Sequence, residues 1–471
     1  MSVDTLAELR TLQLELIALA CRWALRQPYD PEHARRRRQR ALLLAHDHYR
    51  AHVPAYRRLA HQERIGALDT LTPIIERMMS TDDLFKSYRQ QWLDDGDFAA
   101  MTGWIAELHH RPLQIDVAGV TTIDDWIERL EAADVRPVYS SGTSGTFSFV
   151  PRDVAGLARV RTASASYLLP QLLYDRIGGP LERTLTRLAA RLLAPAPFER
   201  LLRAISPRSY DGVFLDFRHG RTGMQAIGRE AAPVFRRRSF LYDSNLSAAT
   251  LRSVARGPRT ARDRANLERL HTETIVNREA NFNRVLDRMR DSVADGRKVF
   301  IFGVPFQLKD LCEHALRSAR EVRLRDGSMV LFGGGWKSYT GERIPRADLM
   351  QLVHDALGIP EVRVIEGYSM TEINVMMVRC VHGRFHVPPI IEPVVFDEAL
   401  APLQGADLRG MIGFLDPLAT AYPGFVISGD TVRMVDGPCP CGLVGPAVTE
   451  ISRAARREVK GCGGVMASLR A

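Results

Sequence analysis

Arg136-Pro-Val-Tyr-Ser-Ser-Gly-Thr-Ser-Gly-Thr-Phe-Ser148 is the stretch from which the rest of the 471-residue chain can be read. Ser140, Ser141, Gly142, Thr143, Ser144 and Gly145 are all small, and the hydroxyl side chains are interleaved with glycines. The apolar approach from Val135 to Tyr139 reads as a strand, so the loop is expected to hang off the end of a sheet. Glycine lets a backbone turn tightly and come close to a ligand. Successive backbone N–H groups and hydroxyls then form a concavity that suits an anion, phosphate above all. No Gly-Lys-Ser/Thr follows at the Walker spacing, and no low-complexity flank marks the stretch as a linker.

Outward from the loop, the C-terminal half alternates strands and helices. Val299-Phe-Ile-Phe302 reads as a buried strand, and the leucines at 308, 311 and 316 mark a helix. Met329-Val-Leu-Phe332 is a second strand running into Gly333-Gly-Gly-Trp-Lys337, followed by a helix through Leu349, Leu352, Val353 and Leu357. Val362 to Ile365 is a third strand, leading into Glu366-Gly-Tyr-Ser-Met-Thr-Glu372. Strand, glycine turn, helix, strand is the grammar of a parallel sheet, and the fold class is α/β. Ligands of such sheets bind beyond the carboxyl ends of the strands. Both glycine segments and the Ser/Gly loop are expected at such ends, around one nucleotide. Farther on, Gly410–Leu418 and Phe425–Met434 read as short β elements, with a turn at Cys439-Pro-Cys-Gly442.

Toward the N-terminus, Thr5-Leu-Ala-Glu8 is a capping box ahead of a leucine-bearing helix that Pro28 stops, and Thr122 caps another. Residues 1–135 are expected to be mostly helical. Residues 155–295, rich in arginine, are expected to be a mainly helical insertion in a core spanning 136–430, and 431–471 form a short C-terminal segment. The net charge is +9, from 64 basic and 55 acidic residues. The basic run Arg35–Arg38 reads as a solvated helix face, and no nucleic-acid motif accompanies it. No apolar run nears the ~20 residues a membrane span needs. The N-terminus does not read as a secretory signal. Six cysteines spaced unevenly give no disulfide framework. A cytoplasmic protein is expected.

In order, these segments resemble the adenylate-forming superfamily of acyl- and aryl-activating ligases. Tyr139–Gly145 is similar to its phosphate loop, Gly333-Gly-Gly335 to its adenine-side segment, and Tyr368-Ser-Met-Thr-Glu372 to its Tyr-Gly-x-Thr-Glu motif. Ser428-Gly-Asp430 is similar to its Thr-Gly-Asp motif, and Ser452-Arg453 stands where Gly-Arg is usual. Gly-Gly-Gly-Trp-Lys, the Cys-x-Cys-Gly turn and the Lys460-Gly-Cys462 tail make the chain resemble most the acyl-protein synthetases of bacterial bioluminescence, with phenylacetate–CoA ligases next.

The resemblance implies an adenylate-forming-enzyme N-terminal-domain-like fold, parallel sheets flanked by helices, with a truncated C-terminal segment. It implies ATP and Mg²⁺ as cofactors and a small carboxylic acid as substrate. An acyl-adenylate would form first, and the acyl group would then pass to a thiol as a thioester. Ser140 to Thr146 would cradle the β- and γ-phosphates, and Thr371 would contact the α-phosphate. Glu372 would hold Mg²⁺, Asp430 the ribose hydroxyls with Arg453 assisting, and Tyr368 would pack along the nucleotide. Cys462 would be acylated, its thiolate favoured by Arg456, Arg457 and Lys460, before delivery to a partner protein such as a reductase or acyltransferase. The loop has Phe147-Ser148 where many ligases have a lysine, so Lys337 or Lys460 is left to assist adenylation. An acyl- or aryl-CoA ligase and a degenerate nucleotide-binding scaffold subunit remain the alternatives. Separately, Cys380, His386, Cys439 and Cys441 are a possible structural Zn²⁺ set, against plain reduced thiols.

Overall fold

The structure, a computed structural model, describes residues 3–140, 146–172, 210–232, 235–336 and 342–453. The chain divides into two compact units. One comprises Met1–Tyr139, Thr146–Glu199 and Met370–Ala471, the other Ser140–Gly145 and Arg200–Ser369.

The first unit opens with helices Val3–Ala24, Pro31–His52 and Pro54–Gln62, and the N-terminal part is mostly helical through Ile123–Ala132. The first helix begins at Val3, so Thr5 lies inside it rather than at its cap. Asp30 and Pro31 start the second in the usual way, the carboxylate accepting from the N–H groups of Glu32 and His33. Thr122 caps Ile123–Ala132 as expected, and Trp126, Ile127 and Leu130 are buried on its inner face. The Arg35–Arg38 run is held by nearby acids: Glu32 beside Arg35 and Arg36, Glu15 beside Arg37, Glu392 beside Arg38.

Strand β1 (Ser80–Thr81) precedes β2 (Arg136–Ser140) and β3 (Ser148–Arg152), which among the described residues pair only with each other. The Ser/Gly loop therefore joins two strands of a two-stranded sheet and does not end a strand of the parallel sheet, as its apolar approach suggested. Proline supplies the physical reason. Pro137 and Pro151 lack the N–H that a central ladder requires, which confines these strands to a small sheet. The aromatic rings of Phe149 and Trp126 meet edge to face at 5.6 Å and anchor the pair to the helical layer.

In the second unit β4 (Tyr210–His219), β5 (Arg238–Asn245), β6 (Lys298–Gly303), β7 (Met329–Gly333) and β8 (Val364–Tyr368) lie in the order β5-β4-β6-β7-β8, all parallel. The described residues of 155–295 are mainly helical, as expected, but two strands not expected there, β4 and β5, join this sheet. Tyr210-Asp-Gly-Val-Phe-Leu is a near-continuous apolar run, which suits a strand covered on both faces as well as it suits a buried helix. Leu215, Leu241, Ile301 and Val330 from the strands and Leu286, Leu308, Leu311 and Val353 from the helices form one buried core.

The chain then returns to the first unit with β9 (Met377–Val378), β10 (Phe385–His386), β11 (Glu392–Phe396), β12 (Asp407–Leu415), β13 (Phe425–Asp436) and β14 (Pro446–Arg453). Strands β10 to β14, without β9, make a sheet ordered β10-β14-β13-β12-β11, antiparallel throughout, with β1 added in parallel to β13. The overall class is α/β, as the sequence indicated. No helix among the described residues is long and apolar enough to cross a membrane.

Candidate active site

Thr371 and Glu372 lie in a turn, with no helix following. What fixes that turn is a buried arginine at the end of β3. The Arg152 guanidinium donates to the Thr371 carbonyl at 2.7 Å, to the Ile373 carbonyl at 2.9 Å and to the Asn374 side-chain oxygen. Asn374 in turn donates its backbone N–H to Asp416 at 2.6 Å and its amide to the Tyr422 hydroxyl at 3.2 Å. That hydroxyl donates to the Glu372 carbonyl at 3.1 Å. Arg152, Asn374, Asp416 and Tyr422 are all buried. Arg152 Nε is buried without a partner, but both terminal nitrogens of the guanidinium are engaged, and such a network in a low-dielectric interior leaves the backbone that presents Thr371 and Glu372 little freedom.

The Glu372 carboxylate is also buried and accepts from the Ser148 hydroxyl at 3.1 Å. Burial raises its pKa, and the Asp82 carboxylate raises it further, against Lys86 and Ser148. Lys86 bonds Asp82 at 2.9 Å. Burial works against its charge, but the field of Asp82 prevails and its pKa is raised. Glu372, Asp82 and Lys86 thus interact electrostatically.

Ser428, Gly429 and Asp430 lie within β13, not in a hairpin turn. Asp430 pairs in register with Arg453 on β14, and the guanidinium lies 3.3 Å from the carboxylate. The Arg453 side chain is largely exposed and the Asp430 side chain is mostly covered. A Cβ on Gly429 would approach that guanidinium to 3.2 Å.

In the second unit, Gly333 ends β7 opposite Gly367 of β8, one residue before Tyr368. A Cβ at Gly333 would stand 3.0 Å from the Gly367 carbonyl oxygen, and Gly334 and Gly335 take φ of +79° and +62°. Three glycines are what a close strand approach and a left-handed turn together require. Ser141, Gly142, Thr143, Ser144, Gly145, Lys337 and Cys462 lie outside the described residues, whereas Ser140 and Thr146 flank the loop at its two ends.

A second cluster stands apart in the first unit. One ligand atom from each of Cys380, His386, Cys439 and Cys441 lies within 4.8 Å of the others. The sequence reading missed Arg152, Asn374, Asp416, Tyr422, Asp82 and Lys86. Asn374, two residues beyond the Thr-Glu pair, and Arg152, closing an apolar strand, were visible signals. Nothing in the sequence ties position 82 to 372.

Residues 265–469 match the model of the family described as "Acyl-protein synthetase, LuxE". The chain is 27% identical over 200 residues to the long-chain-fatty-acid–luciferin-component ligase of Aliivibrio fischeri, covering 42% of this chain and 52% of that one. It thus spans about half the length of that curated relative. Among solved structures, 2-hydroxyisobutyryl-CoA ligase with 2-HIB-AMP and CoA is similar with a TM-score of 0.49 and 14% identity, over 91% of this chain and 76% of that chain. ATP-bound MatB from Rhodopseudomonas palustris follows with a TM-score of 0.35 and 16% identity, over 67% and 47%. The resemblance drawn from the motifs is borne out in sequence: residues 265–469 match the LuxE acyl-protein synthetase family model.

Proposed function

We propose that the protein is an AMP-forming acid–thiol ligase of the acyl-protein synthetase type. It uses ATP to activate a carboxylic acid and then moves the acyl group to the thiol of its own Cys462 and on to a partner protein. The observation that carries this reading is the Ser148–Glu372 hydrogen bond. It joins the strand leaving the Ser/Gly loop to the carboxylate of the Thr-Glu motif, which are the two segments such chemistry needs side by side.

In the first step a substrate carboxylate oxygen attacks the α-phosphorus of ATP and pyrophosphate leaves. Two anions meet, so donors and cations matter more than a base. Ser140 to Thr146 are assigned to the terminal phosphates, Thr371 to the α-phosphate, Gly333–Gly335 and Tyr368 to the base, and Asp430 with Arg453 to the ribose. Glu372, aided by Asp82, would hold Mg²⁺, which would supply charge neutralisation to the phosphates. Lys86, not singled out by the motifs, joins Lys337 as a candidate cation for adenylation. In the second step the Cys462 thiolate attacks the acyl carbon, the thioester forms and AMP leaves. Residues 431–471 are assigned as the segment that carries this cysteine.

The test is acid-dependent ATP–pyrophosphate exchange combined with intact mass after incubation with ATP and a panel of acids. The expected result is exchange plus a hydroxylamine-labile acyl adduct that Cys462→Ser abolishes while exchange persists. A CoA-dependent free thioester with no protein adduct would replace this reading by the CoA-ligase one. Absence of exchange with every acid, in protein that binds no ATP, would end it.

A further inference from the structure

We infer that Cys380, His386, Cys439 and Cys441 form a tetrahedral Zn²⁺ site that clamps the C-terminal β-sheet. This inference is independent of the proposed activity. The four residues come from two separate turns of the first unit. Cys380 follows β9 and His386 lies on β10, the two joined by a tight turn in which Gly383 N–H donates to the Cys380 carbonyl at 3.0 Å. Cys439 and Cys441 sit in the connection between β13 and β14.

Two of the separations lie close to the edges of a coordination tetrahedron. Cys380 Sγ and Cys439 Sγ are 3.9 Å apart, and Cys441 Sγ is 3.3 Å from His386 Nε2. Zinc–sulfur and zinc–nitrogen bonds of about 2.3 and 2.1 Å give tetrahedral edges of about 3.8 Å between sulfurs and about 3.6 Å from sulfur to nitrogen. A disulfide instead needs the sulfurs at about 2.0 Å. Cys380, His386 and Cys439 are buried, and Cys441 is half-buried.

The Cys-Pro-Cys-Gly turn is held from outside. Arg26 Nε donates to the Cys441 carbonyl at 3.1 Å and Trp23 Nε1 to the Val444 carbonyl at 2.8 Å. The ion would therefore tie β9, β10 and the β13–β14 connection to the end of the first helix. Three thiolates and an imidazole are donors for Zn²⁺ and unsuited to Mg²⁺ or Ca²⁺.

The test is elemental analysis of the full chain purified without chelator from zinc-supplemented medium, with Co²⁺ exchanged in as a spectroscopic probe. The expected result is about one Zn²⁺ per chain, intense tetrahedral thiolate–Co²⁺ absorption, and at least a tenfold loss of bound metal in Cys439→Ser. Should that variant be insoluble, the wild-type cobalt spectrum decides the matter. Metal-free protein with all four side chains open to modification would overturn the inference. So would a Cys380–Cys439 disulfide by mass spectrometry, or iron in place of zinc.

Discussion

The Ser148 hydroxyl donates to Glu372 Oε1 at 3.1 Å, joining positions 224 residues apart in the chain. Both groups are buried, so the bond is not a solvent-exposed coincidence. It makes the carboxylate of one motif depend on the strand that carries the other.

Glu372→Gln should separate chemistry from stability. Burial and Asp82 both favour the uncharged form of this side chain, so an isosteric amide should fold at least as well as the wild type. If the carboxylate neutralises charge during adenylation, exchange should fall by roughly 10²–10³. Pyrophosphate exchange and thermal melting, run side by side, check this. Wild-type exchange in a well-folded variant would remove Glu372 from the mechanism.

Asp430→Asn and Arg453→Ala should act on ATP more than on the fold. An ion pair with one exposed partner contributes at most about 1 kcal/mol to stability, so melting should barely change. Loss of a charge-assisted hydrogen bond to a ribose hydroxyl is worth about 1.5–3 kcal/mol, or roughly 10–100-fold in the KM for ATP, with kcat affected less. Equal KM values in wild type and Asp430→Asn would place the ribose elsewhere.

Acid should destabilise the first unit through its buried histidines. His48 and His109 are lowered to about 4, chiefly by burial, with His110 adding repulsion. His48 Nε2 lies 3.1 Å from the Thr420 carbonyl, and its ring is 5.3 Å from that of His110, which faces Asp153. Each lowered histidine is neutral when folded and takes up a proton when unfolded below its ordinary value near 6.5. Their contribution is therefore complete above about 6.5 and is lost as the pH falls toward 4. Asp153 adds to the loss at lower pH. Burial works to raise its pKa, but His110, the Gly156 N–H and Arg159 hold it below the carboxylate range. Melting temperature followed from pH 7 to 4 should show this decline, and His48→Gln should flatten it by about one proton. An unchanged slope in that variant would mean His48 does not titrate in this way.

Strands β6, β7 and β8 and the N-terminal helices were legible because apolar periodicity and caps are local signals. Thr122 and the runs at 299–302 and 329–332 needed no tertiary information. The proline-bearing strand β2 misled, since an apolar approach to a loop says nothing about which sheet a strand joins. Residues 210–219 misled differently, because a short apolar run has no period to separate strand from helix. Within the candidate site the motif residues carried the resemblance, while the residues that hold them did not. Arg152, Asp416 and Tyr422 act through contacts between positions 152, 374, 416 and 422, and no local spacing encodes such a network.

That network yields the sharpest prediction, Arg152→Lys. Lysine keeps the charge but replaces a planar fork by a single flexible ammonium, which cannot reach the carbonyls of Thr371 and Ile373 and the Asn374 side chain at once. At least one buried acceptor loses its donor, costing about 1–3 kcal/mol of stability. The larger consequence should be positional, because the turn bearing Thr371 and Glu372 would no longer be pinned from below. Misplacement of reacting groups by about 1 Å lowers rates by roughly 10²-fold. Arg152→Lys should therefore lose exchange activity out of proportion to its loss of stability, with kcat falling and the KM for ATP changing little. Guanidinium added in solution should not restore a fork fixed on β3, whereas Arg152→Met should lose both fold and activity. If Arg152→Lys instead melts lower yet turns over like the wild type, the arginine is a packing element and the Thr371–Glu372 turn is held by Asn374, Asp416 and Tyr422 alone.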